Sequence, residues 1–144
     1  MANSVYEVLV TEERLTMPDE RVDRDAGARV DFQGIVRALE DGREIEGIDY
    51  EAHHHMAEHQ LKRIAEEAAL EFGLRSMIIH HRIGFVPVGE PSLLTRVCCG
   101  HREAAFDASR WIVEELKRRV PIWKRPRFKV QPVRPISRSE AATA

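Results

Sequence analysis

Hydrophobic and polar residues alternate with a period of two from Ala28: Ala28, Val30, Phe32, Gly34 and Val36 interleave with Arg29, Asp31, Gln33 and Ile35. That period predicts a strand. Asp41-Gly42 is a turn signal, and Ile48 and Tyr50 alternate in a second strand beyond it. The two are expected to pair as a hairpin with a loop of several residues. From about Met56 the period changes. Ala57, Leu61, Ile64, Ala65, Ala68 and Phe72 fall at helical spacing, and Gly73 follows as a C-cap that can take the left-handed conformation without steric cost. Met77-Ile78-Ile79 reads as a buried strand, and Gly84, Pro87 and Gly89 punctuate a loop. Leu93, Leu94, Thr95, Val97 and Cys98 form another strand that feeds into Gly100.

A second helix is predicted over 102–120. Its core stripe is Ala105, Ala108, Ile112 and Leu116, widened by Val113 and Val120. Lys117 lies one turn after Val113, at the edge of that stripe, where its stem can pack while its ammonium reaches a cleft. Pro121 stops the helix, and the apolar Pro121-Ile122-Trp123 is expected to pack down and pin Lys124. At the front of the chain Tyr6 to Val10 reads as a short strand, and the polar residues 11–26, with Pro18, as a loop or weak helix. The order is strands, helix, strands, helix. It predicts an α+β fold with helices packed on mostly antiparallel strands.

The 144 residues suit one domain, assigned to 1–130, and 43% apolar content is enough for a core. Residues 131–144 carry two prolines and no apolar period, and a loosely ordered tail is expected there. No apolar run is long enough to span a membrane, and the N-terminus lacks the basic-then-apolar pattern of a secretory signal. Cys98 and Cys99 are sequence neighbours that offer no disulfide framework and no CxxC, so a cytoplasmic setting without redox chemistry is expected.

The net charge of −2 hides an asymmetry. From Lys117 to Arg138 nine basic residues run without an acid, whereas Glu12, Glu13, Asp19, Glu20, Asp23, Asp25 and Asp31 crowd the front. A local basic field attracts anions: phosphates, nucleic acid or an acidic protein tail. Gly100-His101-Arg102 lies where a strand becomes a helix. Free backbone N–H groups and the positive end of the helix dipole favour an anion there, and Arg102 adds a bidentate fork. A surface arginine beside a packed histidine is the plain alternative. Lys124, if desolvated near another cation, would suit proton transfer. Arg37 ends its strand as a further anion contact or as an exposed strand-end arginine. His53, His54, His55 and His59 cluster, but no Glu or Cys completes a zinc pattern. They read as a polar helix start, and neither a metal nor a cofactor is expected. His80 and His81 point to opposite faces of a strand.

Several stretches, in order and at matching spacing, resemble the catalytic, or large, subunit family of molybdopterin synthase. They are Phe32-Gln33-Gly34-Ile35-Val36-Arg37, Tyr50-Glu51-Ala52 with Met56-Ala57, His81-Arg82-Ile83-Gly84 with Val88-Gly89-Glu90, His101-Arg102-Glu103-Ala104-Ala105-Phe106, and Leu116-Lys117 through Val120-Pro121-Ile122-Trp123-Lys124. The resemblance runs from about Ala28 to Lys124. It implies an α/β hammerhead-type fold with an additional antiparallel sheet. The implied reaction is sulfur transfer onto cyclic pyranopterin monophosphate to make the molybdopterin dithiolene. The sulfur arrives on the C-terminal Gly-Gly thiocarboxylate of a small ubiquitin-like subunit. Lys117 matches the principal catalytic lysine and Lys124 its assistant, while Phe32, Arg37, His101 and Arg102 match substrate-binding positions. The implied assembly is a homodimer of large subunits within a heterotetramer, with part of each pocket drawn from the neighbouring copy. After Lys124 the chain departs from the family pattern, and Arg127 or Arg134 is the candidate for an arginine that the usual ending supplies. Two other readings use the same residues: a diverged relative without turnover, and a basic-tailed nucleic-acid-binding module. The second leaves the placement of His101, Lys117 and Lys124 unexplained, so neither nucleic acid nor a membrane is expected as a partner.

Overall fold

The alternating and helical patterns become eight strands and two helices. The computed structural model describes residues 5–19 and 23–130. In order they form β1 (Val5–Thr11), β2 (Ala28–Ile35), β3 (Leu39–Glu40), β4 (Arg43–Ala52), α1 (His54–Phe72), β5 (Ser76–Arg82), β6 (Gly84–Pro87), β7 (Pro91–Cys99), α2 (Arg102–Arg119) and β8 (Ile122–Phe128). The tail expected over 131–144 lies outside the described residues.

The first sheet has the order β1-β5-β7-β2. β1 runs parallel to β5, and the other two pairs are antiparallel. A parallel pair needs a long crossover, which the chain from β2 through α1 supplies. Both helices pack on one face of this sheet. Leu61 and Ile64 of α1, Met77 and Ile79 of β5, Val97 of β7 and Ile112 of α2 are all 1% exposed or less. Each such side chain contributes about 1.5–3 kcal/mol by leaving water. His53 caps α1, its Nδ1 accepting from the Met56 N–H at 3.4 Å, and Gly73 ends it at φ 63° with its N–H on the Ala69 carbonyl. On the opposite face Arg96 of β7, 7% exposed, donates to both Asp31 carboxylate oxygens and to the Pro18 carbonyl, which ties the segment before β2 to the sheet.

The second sheet is built around β4, which pairs antiparallel with β3, β6 and β8. Val36, Ile45, Ile48 and Val86 form its own small core, with Tyr50, Val88 and Phe128 packed against them. Gly47 is required here: a Cβ would fall 2.4 Å from the Val86 carbonyl oxygen and 2.6 Å from the Phe85 ring.

Three expectations are corrected. The strand at 28–36 does not pair with the strand at 48–50. β2 lies against β7, and the Asp41-Gly42 turn closes the short β3–β4 hairpin instead. Residues 84–87 are not a loop but the strand β6, held by β4. Pro121-Ile122-Trp123 does not pack down as a block. Ile122 and Trp123 belong to β8, whose alternation turns Ile122 toward the main core and leaves Trp123 60% exposed. The fold class is otherwise the expected one: α+β, with two helices on a mostly antiparallel sheet and an additional antiparallel sheet beside it. No helix among the described residues is long and apolar enough to cross a membrane.

Candidate active site

A cavity of about 540 Å³ opens between the two sheets and the C-terminal end of α2. Its wall includes Phe32, Arg37, Lys117 and Lys124, contributed by three separate elements and the segment after β2.

Arg37 is placed by what precedes it. The β2–β7 register shifts between Gly34 and Ile35. Val36 is then anchored by two backbone bonds, its N–H to the Glu90 carbonyl at 3.1 Å and its carbonyl to the Gly89 N–H at 2.9 Å. With Val36 only 3% exposed, Arg37 is the next residue free to emerge at the cavity. Lys117 is placed by α2. Leu116 is buried in the main core, and the Val120 N–H closes the last turn on its carbonyl at 3.0 Å. The three cations of that turn part company. Arg118 holds Glu115 at 2.9 Å, and Arg119 holds Glu67 at 2.6 Å. Lys117 has no ion pair among the described residues, and the negative end of the helix dipole favours its charge. Lys124 is placed by register, opposite Tyr50 in the β4–β8 pair.

The desolvation expected of Lys124 is absent: its side chain is 58% exposed, and its Nζ lies 3.5 Å from Glu40 Oε1. A carboxylate, not a packed tryptophan, steadies it. Arg127 does not reach the cavity. Its guanidinium pairs with Asp49 at 2.8 Å and stacks 4.0 Å over the Phe85 ring. Arg134 lies outside the described residues.

His101 and Arg102 are not brought into this cavity. His101 is the N-cap of α2, in extended conformation and without a side-chain cap bond, and both residues are exposed. Lys117 is near the other end of an 18-residue helix, about 27 Å long at 1.5 Å per residue.

The sequence reading missed Glu40, Tyr50, His81 and Ser92, which also line the cavity. His81 had a signal. It continues the parity of Met77 and Ile79, so it shares their buried face and is 5% exposed. Its Nδ1 meets the Arg82 carbonyl at 2.7 Å, and its ring stands edge-on to Tyr50 with centroids 5.5 Å apart. Burial pushes its pKa below the ordinary histidine value, with the Arg82 carbonyl acting in the opposite sense. His80, on the other face, pairs with Glu7 at 2.7 Å. Cys98 and Cys99 are buried free thiols.

Arg37, Lys117 and Lys124 outweigh the one carboxylate, Glu40, among these wall residues, while Phe32, Val113, Leu116 and Ile122 supply an apolar surface. The fold and site therefore define an α+β protein with an open, cation-walled pocket suited to an anion.

The particular family follows from comparison with known proteins. The family model described as "MoaE protein" matches residues 8–119, and the chain belongs to that family. It is 43% identical over 101 residues to the molybdopterin synthase catalytic subunit of Thermoplasma volcanium, covering 70% of this chain and 74% of that one. It is 46% identical over 99 residues to the same-named protein of Pyrococcus abyssi, covering 69% and 67%. Among solved structures, the molybdopterin synthase of Staphylococcus aureus superposes with a TM-score of 0.78 at 31% identity, over 83% of this chain and 90% of that one.

Proposed function

We propose that this chain is the catalytic subunit of a molybdopterin synthase. It is a sulfurtransferase that moves sulfur from the thiocarboxylated C-terminus of a small ubiquitin-like subunit onto cyclic pyranopterin monophosphate. The observation that carries this reading is the convergence of Arg37, Lys117 and Lys124 on one cavity in a member of this family. Substrate and donor are both anions, and the cavity meets them with cations.

In this reading Arg37 grips the substrate phosphate through its planar fork, and Phe32 offers an apolar face to the pterin. Lys117, unpaired in the resting pocket, stabilises the charge on the incoming thiocarboxylate and on the transition state that follows. Lys124 assists and is released from Glu40 when an anion enters. Each transfer forms a carbon–sulfur bond on the pterin and breaks one at the partner's C-terminal carbonyl, with water restoring the carboxylate. Two transfers complete the dithiolene. Holding two anions and a water in register is largely positional work, which a pre-built pocket supplies.

The distance along α2 bears on assembly. His101 and Arg102 serve this chemistry only across a subunit boundary, in the pocket of a second copy. A homodimer of large subunits, with a small subunit bound at each end, meets that requirement. The free thiols agree with a cytoplasmic setting.

The test is reconstitution of the chain with a thiocarboxylated small subunit and cyclic pyranopterin monophosphate. Wild type is expected to form molybdopterin, and Lys117→Ala almost none while still binding the small subunit. A folded, partner-binding wild type that forms no product overturns the reading.

A further inference from the structure

The cavity's cations can only donate hydrogen bonds, because neither Arg nor Lys carries an acceptor. They read phosphate and carboxylate oxygens and cannot recognise the N–H edge of a heterocycle. Glu40 is one acceptor on the wall, 3.5 Å from Lys124 in the resting pocket. His81 supplies what they lack. Its Nδ1 is 2.7 Å from the Arg82 carbonyl oxygen. A carbonyl only accepts, so Nδ1 carries the proton, and in the neutral ring Nε2 is left as an acceptor. Nε2 has no protein partner among the described residues. Among them, Thr95 Oγ1 is the fully enclosed side-chain polar atom without a partner. Nε2, partnerless but not fully enclosed, keeps part of the small exposure of His81, and His81 lines the cavity. The ring is held by β5 between Val10 and Leu93 on the neighbouring strands and by its edge-on contact with Tyr50. An acceptor fixed in this way on a nearly buried residue is a built recognition element.

We infer that His81 Nε2 is a substrate-binding acceptor that takes a hydrogen bond from a ring or amino N–H of the pterin. The inference rests on the reading above and adds selectivity for the heterocycle to anion capture by Arg37, Lys117 and Lys124. A ligand with phosphate but no N–H edge should be indifferent to His81.

Two variants and one spectroscopic measurement test this. His81→Asn keeps an N–H near the Nδ1 position for the Arg82 carbonyl and lacks the distal nitrogen. His81→Gln reaches the Nε2 position with an amide oxygen. Binding of cyclic pyranopterin monophosphate and of inorganic phosphate is measured on the purified chain with its small subunit. His81→Asn is expected to weaken pterin binding about ten- to hundredfold, as expected when a buried donor loses its acceptor, and to leave phosphate binding within about twofold. His81→Gln should recover part of the loss. In the ¹⁵N-histidine-labelled wild type, the His81 Nε2 signal should show an unprotonated nitrogen and move when the pterin is added, but not with phosphate. A folded His81→Asn protein that binds the pterin as wild type does, or an Nε2 signal that the pterin leaves in place, overturns the inference. If His81→Asn does not fold, the wild-type spectrum decides alone. Failure of wild type itself to bind the pterin sinks the parent reading, whereas pterin binding with an indifferent His81 sinks only this one.

Discussion

Glu40→Gln probes whether the cavity works through its charge. The Glu40 carboxylate lies 3.5 Å from the Lys124 ammonium, with the two side chains 19% and 58% exposed. At that separation the Coulomb term is about 1.2 kcal/mol in water and roughly four times that at an effective dielectric near 20. The exposed lysine end places the pair toward the watery limit, where measured pairs contribute about 0.2–1 kcal/mol. An anion entering the pocket must compete with Glu40 for Lys124 and also meets the repulsion of Glu40 itself. Glutamine removes both effects and keeps the volume. Anion affinity should therefore rise by about two- to tenfold, equivalent to roughly 0.5–1.4 kcal/mol, while fold stability changes little. The assay is calorimetric titration with inorganic phosphate and with cyclic pyranopterin monophosphate at low and high salt, since screening should shrink the gain. The same substitution in a Lys124→Ala background closes a double-mutant cycle and isolates the pairwise part. Unchanged or weaker anion binding by a folded Glu40→Gln protein refutes the electrostatic account. An equal gain in the Lys124→Ala background refutes its assignment to Lys124.

Two further outcomes follow from burial and protonation. Ile112→Ala removes a side chain at 0% exposure from the face of α2 packed on the main core. It should cost about 2–5 kcal/mol in denaturant unfolding, and a loss under about 1 kcal/mol would contradict the packing described. His81 titrates below its ordinary value because it is buried, so just below about pH 6.5 the unfolded chain binds a proton that the folded chain refuses. Stability from this group is therefore complete above that pH and is lost as pH falls toward the folded value. His81→Asn should flatten that part of the stability–pH curve relative to wild type, whereas an unchanged difference curve would mean that His81 is not held neutral. The carboxylates of Asp23 and Glu67, held below their usual range by hydrogen bonds from Arg75 and Arg119, lose their contribution only at lower pH, so the part of the His81 effect nearest pH 6.5 is read free of them.

Local pattern made both helices, their limits and the Gly73 cap legible, because a 3.6-residue stripe and a left-handed glycine are written in consecutive residues. Strand existence was legible where apolar residues alternate, as in β2, or run consecutively, as in β5 and β7. β8 was not, because Lys124, Arg125 and Arg127 around Pro126 read as a solvated basic run, and only the partnership with β4 makes that run a strand. β6 has four residues bounded by Gly84 and Pro87, too few to show a period. The β2–β7 pairing was hidden for a different reason: lateral strand order is decided by contacts far apart in sequence. Phe32, Arg37, Lys117 and Lys124 were brought into one group by family resemblance, and the structure does line one cavity with them. Glu40 and Tyr50 escaped because their role depends on which strand faces which. His81 could have been found from strand parity alone.

The way the cations are mounted bears on how the site will respond to change. α2 carries Lys117 on the main core, and β4 belongs to the small one. β8 joins both, with Ile122 packed against the first and Phe128 against the second. Lys124 stands two residues after Ile122 on this bridge, so its position relative to Lys117 is set by how the two cores sit against each other. A volume-conserving substitution deep in either core can be repacked at modest cost in stability and still shift one lysine relative to the other. Misplacement by about 1 Å costs on the order of a hundredfold in a reaction that depends on positioning. Turnover should therefore respond to core substitutions that a melting curve barely registers, and more steeply for residues beside β8 than for those on the far side of α1.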